Sequence, residues 1–448
     1  MAEMGLWIAP LSPSQTIFLD KLPPEILTLI AKEMDYWTPQ LSSLCKVNKK
    51  CNAACTSALY SGSLEFVDSK RSLNLFADTI LCHRPDLATL VKDLEIYGLL
   101  DLPGRGSSFL AALTNLRRLR IFASEYERWT PYCTFFHPIP ILPALRHLDL
   151  CFSLNKDVLD FVQSHYLRLS SLSIYTVDAF DGYDIPATGM AAELCARYSL
   201  PLPGPVSRIT CSPFLAPIFV PGSCVSAVSL WWESWDDVDN AAETAVPALA
   251  QSAGPVRAVS FWSYSWNLKF IELSATHLQH LELLWIDNKD EELSSGEFES
   301  DPEAYFEELL DTLDDTLPSF NSLKVLCLTG PYEDRSRTLY DDFTMVREWA
   351  SHCPTLLQCV IPQTGTAWIR HPSYHFFVPD VKARTALNWI DSTHNQWMSK
   401  DTIALCSQEL FAEEGSELAT PFFQQYEDIE KDGIADVVYA LWDRIREF

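Results

Sequence analysis

Few residues in this 448-residue chain have the types and spacing that chemistry requires. Gly104-Arg105-Gly106 follows a strand-like run and precedes a helix-like one, the setting of a dinucleotide loop. The third glycine position is Phe109, however, so the phosphate cradle is incomplete and a turn is the better reading. No phosphate-loop lysine motif and no Gly-x-Ser-x-Gly elbow occurs. Cys51 and Cys55 lie one helical turn apart with Cys45 nearby, but without a Cys-x-x-Cys pair core thiols are favoured over a zinc site. His277 and His280 flank a strand-like run and alternate in facing, which keeps them from sharing a metal. The sequence thus announces no catalytic residue, no metal site and no cofactor, and a triad assembled from distant residues has no support in it.

Composition narrows the partners. A net charge of −27 opposes phosphate-backbone binding, so neither nucleic acid nor an anionic membrane surface is expected. Hydrophobic residues make up 48%, enough for a large core and two or three structural units. The thirteen cysteines form no compact framework, and residues 1–20 show no basic run followed by an apolar stretch. Prolines interrupt the apolar stretch around 213–221, so no membrane span is expected. Reduced thiols in an intracellular compartment, cytoplasmic or nuclear, follow as the expectation.

Something must nevertheless use the surface, and a repeat shows how it is built. From residue 91 to 361 a triplet recurs: apolar, two residues, apolar, one residue, apolar. The copies are Val91-Leu94-Ile96, Leu116-Leu119-Ile121, Leu145-Leu148-Leu150, Leu169-Leu172-Ile174, Val206-Ile209-Cys211, Val225-Val228-Leu230, Val256-Val259-Phe261, Leu278-Leu281-Leu283, Leu323-Leu326-Leu328 and Leu356-Cys359-Ile361. Their mean step is about 29 residues, the long end of the leucine-rich repeat range, with uneven steps of 19 and 45. Apolar residues two apart mark one face of a strand, and helical patterns lie between several copies, at 107–113, 158–162 and 343–350. Strand alternating with helix predicts an α/β chain whose parallel sheet curves into an irregular leucine-rich-repeat-like solenoid over 63–378.

On such a solenoid the position after each triplet faces the inner surface. It reads Tyr97, Phe122, Cys151, Tyr175, Ser212, Trp231, Trp262 and Leu284, and five of these eight are aromatic. Stacked repeats would align Tyr97, Phe122, Tyr175, Trp231 and Trp262 as a column, a candidate target-binding rim. The alternative is that these rings stabilise repeat junctions. Early inner positions are charged (Asp93, Glu95, Arg118, Arg120, His147, Asp149), whereas middle ones are small (Ser171, Ser173, Ala227, Ser229, Ala258, Ser260). The small floor beside an aromatic rim would suit a peptide or a protein loop. Two segments interrupt the period. Residues 287–315 hold 13 acidic residues and one lysine, read as an insertion loop plus an exposed helix. From 379 to 448 the pattern turns helical, with apolar positions at Ala386, Trp389, Ile390, Trp397, Ile434, Val437, Val438, Leu441 and Ile445, the expected helical C-terminal cap on the open end.

Ahead of the repeat, beyond a tail at 1–18, residues 19–62 carry three short apolar stripes. Leu22-Pro23-Pro24-Glu25-Ile26-Leu27 is followed by Leu29, Ile30 and Met34, then by Leu41, Leu44 and Cys45, then by Cys51, Ala54, Cys55, Ala58 and Leu59. Pro24 suits a helix start, and three helices in about forty residues bury too little to stand alone, so a partner should cover their remainder. This stretch, roughly a tenth of the chain, resembles the F-box. The resemblance rests on Leu22-Pro23, Glu25-Ile26-Leu27, Leu41, Leu44 and Val47-Asn48-Lys49, with Cys51 standing where the family has a large aromatic. It implies a chain without chemistry of its own, the substrate receptor of an SCF-type ubiquitin ligase. The family docks a Skp-family adaptor, and through it a cullin-RING ligase, by helices to which Leu22, Pro23, Ile26, Leu27, Leu44 and Val47 would contribute here. The target protein would be held by the solenoid. The alternative is a non-catalytic leucine-rich-repeat scaffold with a degenerate F-box.

Overall fold

The computed structural model describes residues 21–34, 38–67, 70–97, 105–122, 136–151, 156–175, 204–232, 238–264, 266–289, 302–330, 339–361, 367–379 and 416–446. The tail at 1–18 and the apolar positions Ala386, Trp389, Ile390 and Trp397 lie outside these residues. The chain is mixed α/β and forms two compact units, Met1–Asp149 with Asn155–His165, and Leu150–Leu154 with Tyr166–Phe448. The expected boundaries at 62 and 378 do not coincide with this division.

The first unit opens with α1 (Pro24–Glu33), α2 (Thr38–Cys45) and α3 (Lys49–Ser61). Pro24 starts α1, where its missing N–H has no intrahelical partner to lose. Asn48 caps α3 by accepting the Cys51 backbone N–H at 2.8 Å. The core of the trio is Leu27, Ala31, Leu41, Cys51, Ala54, Cys55 and Ala58, with Leu22, Met34, Leu44, Cys45 and Leu59 packed at its margin. Five of its seven buried members are Ala or Cys, so the close fit comes from small residues.

Beyond α3 come β1 (Ser63–Phe66), α4 (Lys70–Asp78), α5 (Pro85–Ala88), β2 (Asp93–Tyr97), α6 (Gly106–Ala112), β3 (Arg118–Phe122), the start of β4 (His147–Cys151) and α7 (Lys156–His165). Strands β1, β2 and β3 are parallel, with Leu64, Leu94 and Leu119 in one row and Phe66, Ile96 and Ile121 in the next. The strand series therefore starts one copy before residue 91. The triplet spacing missed β1 because its first position is Ser61.

In the second unit the series continues through β5 (Ser171–Tyr175), β6 (Arg208–Cys211), α8 (Ala216–Phe219), β7 (Ala227–Trp231), α9 (Val238–Ala250), β8 (Ala258–Ser263), α10 (Leu268–His277), β9 (Leu283–Asn288), α11 (Pro302–Thr316), β10 (Val325–Thr329), α12 (Leu339–His352) and β11 (Gln358–Val360). Strands β5 to β11 pair in chain order and in parallel. Two short strands, β12 (Ala367–Ile369) and β13 (Val378–Pro379), then pair antiparallel, and α13 (Ser416–Lys431) and α14 (Ile434–Arg446) complete the unit.

Register corrects the reading of one repeat. Val228, Val259, Leu284 and Leu326 form a single buried row, and Leu230, Phe261, Ile286 and Leu328 the next. The copy at β9 is thus Leu281-Leu284-Ile286, three residues later than the spacing suggested. Leu284 is a core residue, and Trp285 takes a position beside Ser260 on the opposite face. The acidic segment is also reassigned at both ends. Asp287 is inside β9 and 5% exposed, and α11 buries Phe306, Leu309 and Leu313, so it is a packed interstrand helix and not an exposed one. Residues 290–301 lie outside the described residues.

Helix α10 packs on the apolar face, the Phe270 ring 4.5 Å from that of Phe261. Its start is set by Asn267, which adopts φ +44° and accepts the Phe270 N–H at 3.0 Å. At the far end, Gly433 joins α13 to α14 with φ +66°, a left-handed turn that a Cβ would strain.

Candidate protein-interaction surfaces

The helical trio separates its apolar residues into two sets. Leu27 is fully buried, so it fills the internal core and is not available to an adaptor. Leu22 and Leu44 are partly buried against the same core. Pro23 is exposed, as are Ile26 at 41% and Val47 at 57%. Leu29, which the family pattern did not single out, is 56% exposed one turn after Ile26. Ile26 and Leu29 point outward because Leu27 and Ala31 occupy the stripe of α1 that meets α3. Burial pushes the Cys45 and Cys55 thiols up, reinforced by neighbouring cysteines, so both stay protonated members of the core.

On the strand surface of the first unit the inner positions interlock. Tyr97 donates its hydroxyl to Glu95, which is 6% exposed and ion-paired with Arg120 at 2.5 Å. Asp93 receives Arg120 at 3.6 Å and Arg118 at 3.8 Å. The bond to Glu95, with partial burial and that carboxylate's charge, holds the Tyr97 phenol up at about 12. Tyr97 and Phe122 share a register position and stack with centroids 4.8 Å apart.

In the second unit the aromatic row is present and longer than expected. Tyr175 meets Trp231 edge-on at 5.5 Å, Trp231 stacks on Trp262 at 4.6 Å with planes 8° apart, and Trp262 meets Trp285 at 5.0 Å. Polar partners fix the rings. The Trp231 indole donates to Ser229 at 3.2 Å, and Ser229 receives the Ser260 hydroxyl at 2.7 Å. Trp285 donates to Thr329 at 2.7 Å, Thr329 to Asp287 at 2.6 Å, and Lys289 pairs with Asp287 at 2.8 Å.

The small floor beside these rings already has an occupant. Helix α14 lies across β7 and β8, and Ala227, Ser229, Ala258 and Ser260 are each no more than 2% exposed. Trp442 of α14 meets the Trp285 ring at 5.5 Å and donates to Gln358 of β11 at 2.7 Å. Arg444 approaches Glu282 at 3.9 Å, where Arg257 and Lys324 converge at 2.5 and 3.2 Å. The C-terminal helices are therefore divided in task. Helix α13 docks on the 371–377 segment beside β13, through Tyr374 to Asp428 and Gln425 to the Phe376 carbonyl, while α14 covers the strand face. Small side chains at four neighbouring inner positions let a helix backbone approach, which charged ones in the first unit do not. At β7 and β8 the floor read as a peptide-binding surface is an internal interface, and Tyr175, Trp231 and Trp262 remain half-buried beside it.

Among the described residues no group of three or more His, Cys, Asp or Glu could hold a metal ion, and no helix is long and apolar enough to cross a membrane. No protein-family model matches the chain, and no curated protein sequence matches it either.

Proposed function

We propose that this protein is the substrate-recognition subunit of an SCF-type E3 ubiquitin ligase, without chemistry of its own. The observation that carries this reading is the surface of α1–α3. Its core is closed by Leu27, Ala31, Leu41 and four small residues of α3, yet Pro23, Ile26, Leu29 and Val47 stay at the surface. Apolar side chains left out of a filled core suit a partner that covers them. Charge adds to this: residues 21–61 hold five lysines against three carboxylates in a chain of net charge −27, which favours an acidic adaptor face. The rest of the chain would hold the target, raising its local concentration beside a ubiquitin-loaded enzyme. With the floor taken by α14, the aromatic rims are the target surfaces: Tyr97 and Phe122 on one unit, Tyr175, Trp231 and Trp262 on the other.

Co-purification with a Skp-family adaptor tests the reading. Wild-type chain should retain the adaptor, and Ile26→Asp/Val47→Asp should lose it at unchanged melting temperature, because both side chains are exposed. Leu27→Ala is the wrong probe, since it opens a core cavity. Equal recovery with both chains, or none with either, overturns the reading.

A further inference from the structure

The acidity of this chain is confined to one of its two units. Residues 1–149 with 155–165 hold 16 Lys and Arg against 17 Asp and Glu, so nearly the whole charge of −27 lies in the second unit. Within the near-neutral first unit, three cations stand in one row. Lys92, Arg117 and Arg146 each immediately precede a strand, β2, β3 and β4 in turn. Backbone bonds fix their equivalence: Arg117 N donates to the Lys92 carbonyl at 2.7 Å, and Arg146 N to the Arg117 carbonyl at 2.8 Å. All three residues are exposed. Neighbouring strands lie about 4.8 Å apart, so the row spans about 10 Å.

No carboxylate answers the first two of these cations. The side chains of Lys92 and Arg117 make no hydrogen bond or ion pair among the described residues. The carboxylates at the adjoining inner positions are already taken, Asp93 by Arg118 and Arg120, and Glu95 by Arg120 and the Tyr97 hydroxyl. Arg146 extends the row, its guanidinium positioned by a bond to the Leu145 carbonyl at 2.8 Å. The same row in the second unit shows what is missing. There Ser226, Arg257, Glu282 and Lys324 follow one another by the same backbone bonds. Glu282 lies between two cations, 2.5 Å from Arg257 and 3.2 Å from Lys324. Side chains at this position therefore reach their neighbours on adjoining strands, and a carboxylate among cations is the arrangement the position supports. Like charges side by side are destabilising, and neighbours in the row lie well inside the Debye length of about 8 Å. In the first unit the carboxylate has to come from outside.

We propose that Lys92, Arg117 and Arg146 dock an acidic, extended segment of a partner protein, laid across the starts of β2, β3 and β4. Residues of an extended chain are about 3.3 Å apart, so a run of about four spans the row and brings its carboxylates within reach of the long basic side chains. A phosphoserine carries the same chemistry with more charge per residue, and a guanidinium can grip either group bidentately. A nucleic acid is disfavoured, since its backbone needs more positive charge than this row and would meet a chain of net charge −27. Calling the segment part of the target rests on the receptor reading. The affinity of the row for acidic peptide stands whether or not α1–α3 dock an adaptor.

Fluorescence anisotropy of a labelled hexaglutamate peptide titrated with the full chain tests it. Half-saturation on the order of 10–100 µM is expected at about 50 mM salt, weakening about fivefold or more at about 300 mM. Hexaglutamine should not bind. Lys92→Ala/Arg117→Ala should weaken hexaglutamate about tenfold or more without lowering the melting temperature, because it removes two exposed like charges. Lys46→Ala/Lys49→Ala, at exposed positions of the helical trio, should bind as wild type does, which separates this surface from the proposed adaptor face. Replacing one central glutamate by phosphoserine distinguishes the sources: tighter binding identifies a phosphorylated segment, equal or weaker binding a carboxylate one. No saturation by about 1 mM hexaglutamate, or equal binding of hexaglutamine or of a single-stranded DNA hexamer, overturns the proposal. So does full affinity in Lys92→Ala/Arg117→Ala, or an equal loss in Lys46→Ala/Lys49→Ala.

Discussion

Trp442 of α14 donates its indole N–H to the side-chain carbonyl of Gln358 on β11 at 2.7 Å, 84 residues away in sequence. Trp442 is 6% exposed and Gln358 2%, so the bond joins two buried polar groups. Trp442→Phe keeps most of the ring packing and removes the N–H that the Gln358 side-chain carbonyl accepts, an expected loss of about 1–2 kcal/mol in urea unfolding. Trp442→Ala also empties the contact with Trp285 and should cost about 3–5 kcal/mol. Identical unfolding midpoints for wild type and Trp442→Ala would mean that α14 does not pack on the strands.

Glu282 predicts an acid dependence. Burial opposes its charge, but Lys324 and Arg257 outweigh that and hold its pKa below the ordinary carboxylate value. A carboxyl with a depressed folded pKa stabilises the fold above the unfolded value of about 4.3 and loses that contribution as pH falls through the folded pKa. Wild type should therefore exceed Glu282→Gln by about 1 kcal/mol at neutral pH, a modest figure because the cations are partly exposed. The gap should close below about pH 4. Stability curves of the two proteins against pH check this, and a gap that persists in acid would contradict it.

Tyr97 makes the opposite prediction at high pH. Glu95 accepts its hydroxyl, and the phenol is held at about 12 against an ordinary 10. The raised value stabilises the fold below about pH 10, and that contribution fades as pH rises through about 12. Difference absorbance between wild type and Tyr97→Phe should show one phenol titrating near 12, and Glu95→Gln should move it down. A Tyr97 phenol ionising near 10 in wild type would refute the pairing.

Arg370 is a buried cation, 3% exposed, held by carbonyls of Leu356, Pro354, Ala350 and Tyr374. Ala350 belongs to the last turn of α12, whose free carbonyls carry the negative end of the helix dipole. Burial lowers the guanidinium pKa, but a group of this kind remains charged. Arg370→Met should cost about 2–4 kcal/mol, and Arg370→Lys should recover less than half of it, since one ammonium cannot span four carbonyls. Denaturant midpoints decide the order of the three proteins.

The aromatic rim bears on how such tests are designed. Trp231 and Trp262 stack on each other and on their neighbours, so alanine at either position will lower stability as well as any target affinity. Tyr97→Phe, which leaves its stack with Phe122 in place, is a gentler probe of binding.

Alternation and period made the strand cores readable in the sequence: an apolar pair two residues apart faces one way in any strand, so Val228, Leu230, Val259 and Phe261 had one possible destination. The start of α1 at Pro24 and the stripe of Ala54, Cys55 and Ala58 were legible for the same local reason. At β9 local information was ambiguous, because Leu278, Leu281, Leu283, Leu284 and Ile286 satisfy two frames three residues apart. Only pairing with β8 and β10 chose between them and brought out Trp285. The sequence also showed that 434–445 has an apolar stripe and that Ala227, Ser229, Ala258 and Ser260 are small. That one covers the other was decided by tertiary structure, since an apolar face specifies burial without specifying a partner, and nothing local links residues some two hundred positions apart.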